Sequence, residues 1–379
     1  MSKVEWRKLV LVSDVLYGYP FESSLFSEDS SFMPLIRIRD VKPAKASTYY
    51  TGEFNETYRI RKGDILVGMD GEFNIGKWDD RDGLLNQRVL KIKGKEDCCI
   101  DGFLYHYMGP VFKRIEKETP GGSVKHLSAK VINSIQIPVP TLSEQKRIVG
   151  ILDTFTASID NLKEQIAQRR KQYEFYRDQL LDLEGKEGVE MKTLGEIGEF
   201  VRGNGIQKSD FIEDGYSCIH YGQIHAKYGF SAIETISKID KSLYDRCKKA
   251  KKGDVVLATT SEDAEGVAKP FVWLGDEDAA ISGDAFVYHH DQVGKFMGAQ
   301  FLTRKFMQFK VKYATGAKVV RISGDNMAKF EVALPSLQEQ KRIVSILDTF
   351  EASIQNLEAQ LAQREKQYEY YRNKLLTFE

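Results

Sequence analysis

Residues 140–184 read PTLSEQKRIVGILDTFTASIDNLKEQIAQRRKQYEFYRDQLLDLE, and residues 335–379 read PSLQEQKRIVSILDTFEASIQNLEAQLAQREKQYEYYRNKLLTFE. At a constant offset of 195, roughly 31 of the 45 positions are identical, so the chain carries a tandem duplication. Each copy announces a helix. Thr141 with Glu144, and Ser336 with Glu339, form capping boxes directly after Pro140 and Pro335. Apolar residues then recur three and four apart: Ile148, Leu152, Phe155, Ile159, Leu162 and Ile166 in the first copy, and Ile343, Leu347, Phe350, Ile354, Leu357 and Leu361 in the second. A seam of that period asks for a coiled-coil partner. Arg169 and Arg364 interrupt it at equivalent places, where a long side chain snorkels or pins register. A compact domain keeps its ends together. The region between the copies therefore returns the chain to where the first helix ended. The two helices should pair antiparallel, with Met1 near the Glu379 end. A helix of about 40 residues is about 60 Å long.

The remaining sequence divides around these helices. Residues 1–139 form one variable region, 140–184 the first spacer helix, 185–334 the second variable region (entered through a short polar linker, 185–191), and 335–379 the second helix. The variable regions share a skeleton. Leu35–Val41 parallels Cys218–Ile224, Arg61–Val67 parallels Lys251–Leu257, and Gly121–Ser128 parallels Gly316–Ser323. Short β-branched runs bounded by Gly, Asp and Asn read as strands, with one late helix expected in each region, at about 103–117 and 295–309. The fold class that follows is α+β: two mixed α/β domains separated by a long antiparallel two-helix coiled coil.

Composition narrows the function. The chain has 379 residues, 42% hydrophobic and 29% charged, with a formal net charge of zero. No segment resembles a signal peptide or an apolar membrane span. Cys98, Cys99, Cys218 and Cys247 form no CxxC and do not interleave with histidines at zinc-ligand spacing, as expected of reduced thiols in a cytoplasmic protein without a metal site. None of the nine prolines is followed by another, so the Pro-Pro of an adenine methyltransferase motif is missing. Neither a strand–GxGxxG–helix unit nor a P-loop occurs. Asp70/Glu72/Lys77 and Asp263/Glu265/Lys269 imitate a metal-nuclease spacing common by chance. No catalytic residue is assigned.

The divergent loops of the two regions are polar. Base edges are read by Arg, Lys, Asn, Gln, Ser and Thr. The candidate DNA-reading residues are Arg37, Arg39, Asn74 and Lys77 in the first region, and His220, Gln223, Thr259 and Ser261 in the second. Leu302–Arg321 holds six basic residues and no acidic one. Within it, Lys318 and Arg321 suit phosphate contacts, matched by Lys125 and His126 in the first copy. A scaffold with the same coiled coil and no DNA contact is the alternative.

The doubled Pro-x-Leu-x-Glu-Gln-Lys-Arg-Ile-Val with Ile-Leu-Asp-x-Phe, at 140–155 and 335–350, resembles the specificity subunit of type I restriction–modification systems. So do Lys192–Ile197, Phe200–Gly205, His220–Ile224 and Thr259–Glu262. The resemblance covers nearly the whole chain. It implies a bipartite asymmetric DNA site, one half per variable domain. It further implies two modification subunits that bind S-adenosylmethionine and methylate adenine, and restriction subunits that use ATP and Mg to translocate and cut. The helices would set the spacing and dock the modification subunits, with Glu144, Gln145, Arg147, Glu339, Gln340 and Arg342 as candidate contacts.

Overall fold

A computed structural model of the chain describes residues 4–119, 125–316 and 319–378. Met1, Lys318 and Glu379 lie outside the described residues. The fold separates into two units, Met1–Lys163 with Gln360–Glu379, and Glu164–Ala359.

In the first unit, strand Glu5–Lys8 pairs antiparallel with Gln136–Val139, so the domain is closed at its ends where the chain enters the first long helix. An antiparallel sheet runs in the order Ser13–Tyr17, Val89–Gly94, Ile65–Gly68, Ile75–Lys77. Beside it in sequence lies a mixed sheet, in which Met33–Ile36 pairs parallel with Gly83–Leu85. Helix Asp101–Glu118 contributes Phe103, Leu104, Met108 and Phe112 to a core shared with Ile65, Val67, Leu90 and Ile92. Ile148 and Leu152 of the long helix belong to the same core, so the helix is anchored by burial against the domain.

The second unit repeats the core of this plan. Glu190–Thr193 pairs with Glu331–Leu334, and Gly198–Arg202, Ala285–His290, Val255–Ala258 and Lys269–Trp273 take the places of the four-stranded sheet, with Ser231–Ala232 added at the edge. Tyr216–Ile219 pairs parallel with Ala279–Ile281, as Met33–Ile36 does with Gly83–Leu85. Ile343 and Leu347 join this core as Ile148 and Leu152 join the first. One element departs from expectation. The single helix expected at 295–309 is two helices, Gly294–Gln300 and Arg304–Tyr313. The break is at Thr303, whose hydroxyl accepts from the Phe306 amide and starts a new helix.

The long helices span Leu142–Leu181 and Leu337–Leu376, each 40 residues. In the first unit Phe155 stacks on Tyr371 at 5.3 Å and Lys163 faces Glu365 at 3.8 Å. In the second, Tyr176 stacks on Phe350 at 5.4 Å and Arg170 reaches Glu358 at 2.5 Å. In both units, moving forward along one helix moves backward along the other, so the pairing is antiparallel. Arg364 lies over the Phe155 ring at 5.8 Å, which accommodates its charge beside the seam.

Candidate nucleic-acid interface

Each unit has a polar cleft at the same place in its fold. The floor is the turn before the central strand: Asn86–Gln87–Arg88 before Val89–Gly94, and Ser282–Gly283–Asp284 before Ala285–His290. The backbone fixes this turn identically. Gly18 donates to the Val89 carbonyl at 2.9 Å, and Gly203 to the Ala285 carbonyl at 3.0 Å. A Cβ on Gly18 would lie 2.0 Å from the Asn86 carbonyl oxygen, and one on Gly203 2.2 Å from that of Ser282, so only glycine permits the approach. The opposite wall is a helix start: Arg37 precedes Ile38–Val41, and His220 precedes Tyr221–Ala226.

The first cleft, of roughly 600 Å³, is lined by Arg37, Arg39, Lys42, Arg88, Asn74 and Gln87, with Glu72 as its acidic member. Arg37, Arg39 and Asn74 are thus brought together in one cleft. The turn at Arg37 is held from beneath by Asp40, which is buried and accepts from the Arg37 amide at 2.9 Å and from Ser47 Oγ at 2.7 Å. Arg39 is tied to Ser47 and Thr48, both at 2.9 Å. Asn74 donates to Glu72 at 3.0 Å. Lys77 is elsewhere: its ammonium lies 4.7 Å from the Tyr105 ring centre and 3.7 Å from Asp153 of the long helix. Lys125 donates to the Glu116 carbonyl. His126 is 2.5 Å from Asp70 and 3.2 Å from Arg88, and so braces the floor of the cleft through Arg88.

The second cleft, of roughly 650 Å³, is lined by Arg202, Gln207, Lys208, His220, Tyr221 and Asp284. His220 lines this cleft but is largely buried. Its Nδ1 accepts from the Gly222 amide at 3.1 Å, which leaves a neutral ring with Nε2 as donor. Burial, and then the Lys208 charge, hold its pKa below the usual histidine value and favour that neutral form. Gln223 lies under the turn, at the place Asp40 has in the first domain, buried and donating to Ser237 Oγ at 2.6 Å. Thr259 is buried, its amide donating to the Asp284 carbonyl at 3.0 Å. Ser261 lies in the two-residue strand Thr260–Ser261, which pairs with Val320–Arg321, so Ser261 and Arg321 share one ladder at the loop edge. The basic stretch is partly spoken for: Lys305 faces Glu184 at 3.4 Å, and Lys310 is buried against the carbonyls of Glu265 and Val267.

Sequence reasoning missed Gln87, Arg88, Arg202, Gln207, Lys208 and Asp284. A signal for the floor existed: Gly83-Leu84-Leu85 followed by Asn86-Gln87-Arg88 matches Ala279-Ala280-Ile281 followed by Ser282-Gly283-Asp284, an apolar triplet and then three small or polar residues in both copies.

The helix candidates divide into two kinds. Gln145 is fully buried: its carbonyl accepts from the Ile100 amide at 3.0 Å, and its amide donates to Cys98 and Pro140 carbonyls at 2.8 and 2.9 Å. Gln340 does the same work in the second unit, with the Val293 amide at 3.1 Å and the Pro335 carbonyl at 3.0 Å. Both glutamines clamp helix to domain. Glu144–Arg147 and Glu339–Arg342 are exposed bidentate pairs, repeated at the start of each helix.

A family model described as "Type I restriction modification DNA specificity domain" matches residues 3–169 and 186–365. Over 173 residues the chain is 41% identical to the type I restriction enzyme EcoBI specificity subunit of Escherichia coli, an alignment covering 44% of this chain and 36% of that one. A putative type I restriction enzyme specificity subunit of Haemophilus influenzae is 27% identical over 100% of this chain and 96% of its own length. The solved structure of a type I restriction–modification S subunit from M. genitalium shares the fold, with a TM-score of 0.59 at 16% identity, covering 100% of this chain and 97% of that one.

Proposed function

This chain belongs to the type I restriction–modification DNA specificity family and is a DNA-recognition subunit with two recognition domains, and we propose that each domain reads one half of a bipartite, asymmetric site through its own cleft. One observation carries the reading. The two clefts occupy the same place on a repeated scaffold, yet their linings differ: Arg37, Asn74 and Arg88 in one, His220, Gln207 and Asp284 in the other. Reading two sequences requires a constant frame with different polar side chains at its rim. Cationic groups exceed carboxylates in both linings, which favours a phosphate-rich ligand.

The finer assignment follows. The antiparallel pair of 40-residue helices fixes the number of base pairs between half-sites. Two modification subunits dock at the two helix starts, with the exposed Glu144–Arg147 and Glu339–Arg342 pairs among the contacts. Methylation of adenine with S-adenosylmethionine, and ATP- and Mg-dependent translocation and cleavage, belong to the partners in the cytoplasm. The purified chain alone should transfer no methyl group and cut no DNA. Among the described residues no helix is long and apolar enough to cross a membrane. The test is to replace residues 185–334 with the corresponding domain of another family member, assemble the full system, and sequence the modified bases in the host DNA. One half of the motif should change and the other persist. A change in both halves, or in neither, defeats the reading.

A further inference from the structure

The reading turn of each domain ends in one residue whose backbone is fixed and whose side chain has opposite charge in the two copies. The Arg88 carbonyl accepts from the Met69 amide at 2.8 Å, and the Asp284 carbonyl from the Thr259 amide at 3.0 Å. The next residue in each case is held by the glycine contact already described. Asn86 bridges Tyr19 and Ser282 bridges Asn204 in the same parallel sense. Arg88 and Asp284 therefore stand at one scaffold position. Their side chains are 53% and 34% exposed, open to a ligand in the cleft.

We propose that this position selects one base in each half-site: Arg88 donates to guanine, and Asp284 accepts from the amino group of cytosine. The inference rests on the reading of the clefts given above. Arg88 is already aimed. Its Nη1 lies 3.4 Å from Asp70 and 3.2 Å from His126, which orients the guanidinium. A guanidinium carries five N–H donors, so donors remain for the O6 and N7 acceptors of guanine. Asp284 poses the sharper problem. A carboxylate beside DNA is repelled by phosphates unless it meets a donor. In the major groove that donor is the cytosine N4 amino group, or the adenine N6 amino group with N7 beside it. A carboxylate cannot satisfy N7, which is itself an acceptor, so cytosine is the better match. Arg202 supports the arrangement, with Nε donating to the Gly283 carbonyl at 2.9 Å and Nη2 3.9 Å from Asp284.

The experiment uses the assembled modification complex and sequencing of its modified motif, with Arg88→Ala, Asp284→Ala and the near-isosteric Asp284→Asn. Arg88→Ala should relax one base pair of one half-site, lowering discrimination there by about 5–150-fold. Asp284→Ala should relax one pair of the other half. Asp284→Asn should shift that pair from C·G toward A·T, because an amide both donates and accepts. Arg37→Ala and Gln207→Ala are run alongside. If they alter the half-sites while the Arg88 and Asp284 variants keep the wild-type motif, this assignment falls and the cleft reading stands. If none of these variants changes the motif, both fall. Uniformly weakened binding with an unchanged motif would make these residues backbone contacts and overturn the proposal.

Discussion

The loops at 69–74 and 259–268 join equivalent strand pairs in the two domains but are tied down by groups of opposite charge. In the first domain Glu116, on helix Asp101–Glu118, accepts from the Phe73 amide at 3.0 Å, with Lys113 3.1 Å from the same carboxylate oxygen. In the second, Lys310, on helix Arg304–Tyr313, donates to the carbonyls of Glu265 and Val267 at 2.6 and 2.8 Å. One loop turns an N–H inward; the other turns carbonyls inward. Lys310 is 3% exposed, and burial pushes its pKa down to about 8. The helix following the sheet is a common foundation for the loop, while the polarity of the anchor is free to differ. What is held constant is the position of the loop, not the chemistry that secures it.

The comparison can be broken most forcefully at the anchors. Lys310→Met leaves the buried Val267 carbonyl and the part-buried Glu265 carbonyl without their charged donor and should cost about 1.5–3 kcal/mol, seen as a lower denaturant midpoint of the full chain. Glu116→Gln keeps an acceptor for Phe73 and should cost less, about 0.5–1.5 kcal/mol. Equal losses would refute the asymmetry. The glycines test what the domains share. Gly18→Ala and Gly203→Ala each force a backbone shift at the turn and should each cost about 1–3 kcal/mol, and each should blur only its own half of the recognised motif.

Acid sharpens the comparison further. Burial holds His290 down to about 4, against an ordinary value of 6.5. The unfolded chain therefore takes up a proton at this site before the folded one does. The stability from keeping this ring neutral is fully present above pH 6.5 and is lost progressively as pH falls toward 4. Between pH 7 and 5 the loss should be about 1–2 kcal/mol, and His290→Asn should flatten it. An unchanged pH slope in the variant would exclude His290 as the source. The smallest effect is expected at the helix starts. Glu144→Ala and Glu339→Ala break exposed pairs and should move stability by about 0–1 kcal/mol, while weakening association with the modification subunits.

Much of this architecture is legible in the sequence because repetition and period are strong signals. The offset of 195 and the seam through Ile148, Leu152 and Phe155 lead directly to paired helices. The parallel strings Arg61–Val67 and Lys251–Leu257 lead to matching strands. The clefts were only half legible. Arg37, Arg39, Asn74 and His220 were reached by residue type near a shared string. Gln223 and Thr259 have the same residue types, but the fold buries them, and periodicity does not say which side of a short turn faces inward. Gln145 and Gln340 look like surface residues of a polar helix start, yet they are fully buried clamps between helix and domain. Lys310 belongs to the basic stretch Leu302–Arg321, but its partners are carbonyls 43 and 45 residues away in sequence. Tertiary contacts of that kind leave no local trace.

The central claim is that the two clefts are independent readers on one repeated frame. The most direct measurement is to sequence modified bases in host DNA carrying the complete system with wild type, Arg37→Ala or Gln207→Ala. Arg37→Ala should relax one half of the motif and Gln207→Ala the other, with the distance between halves unchanged in both. If either variant altered both halves, or if both altered the same half, the account of two independent clefts would be contradicted.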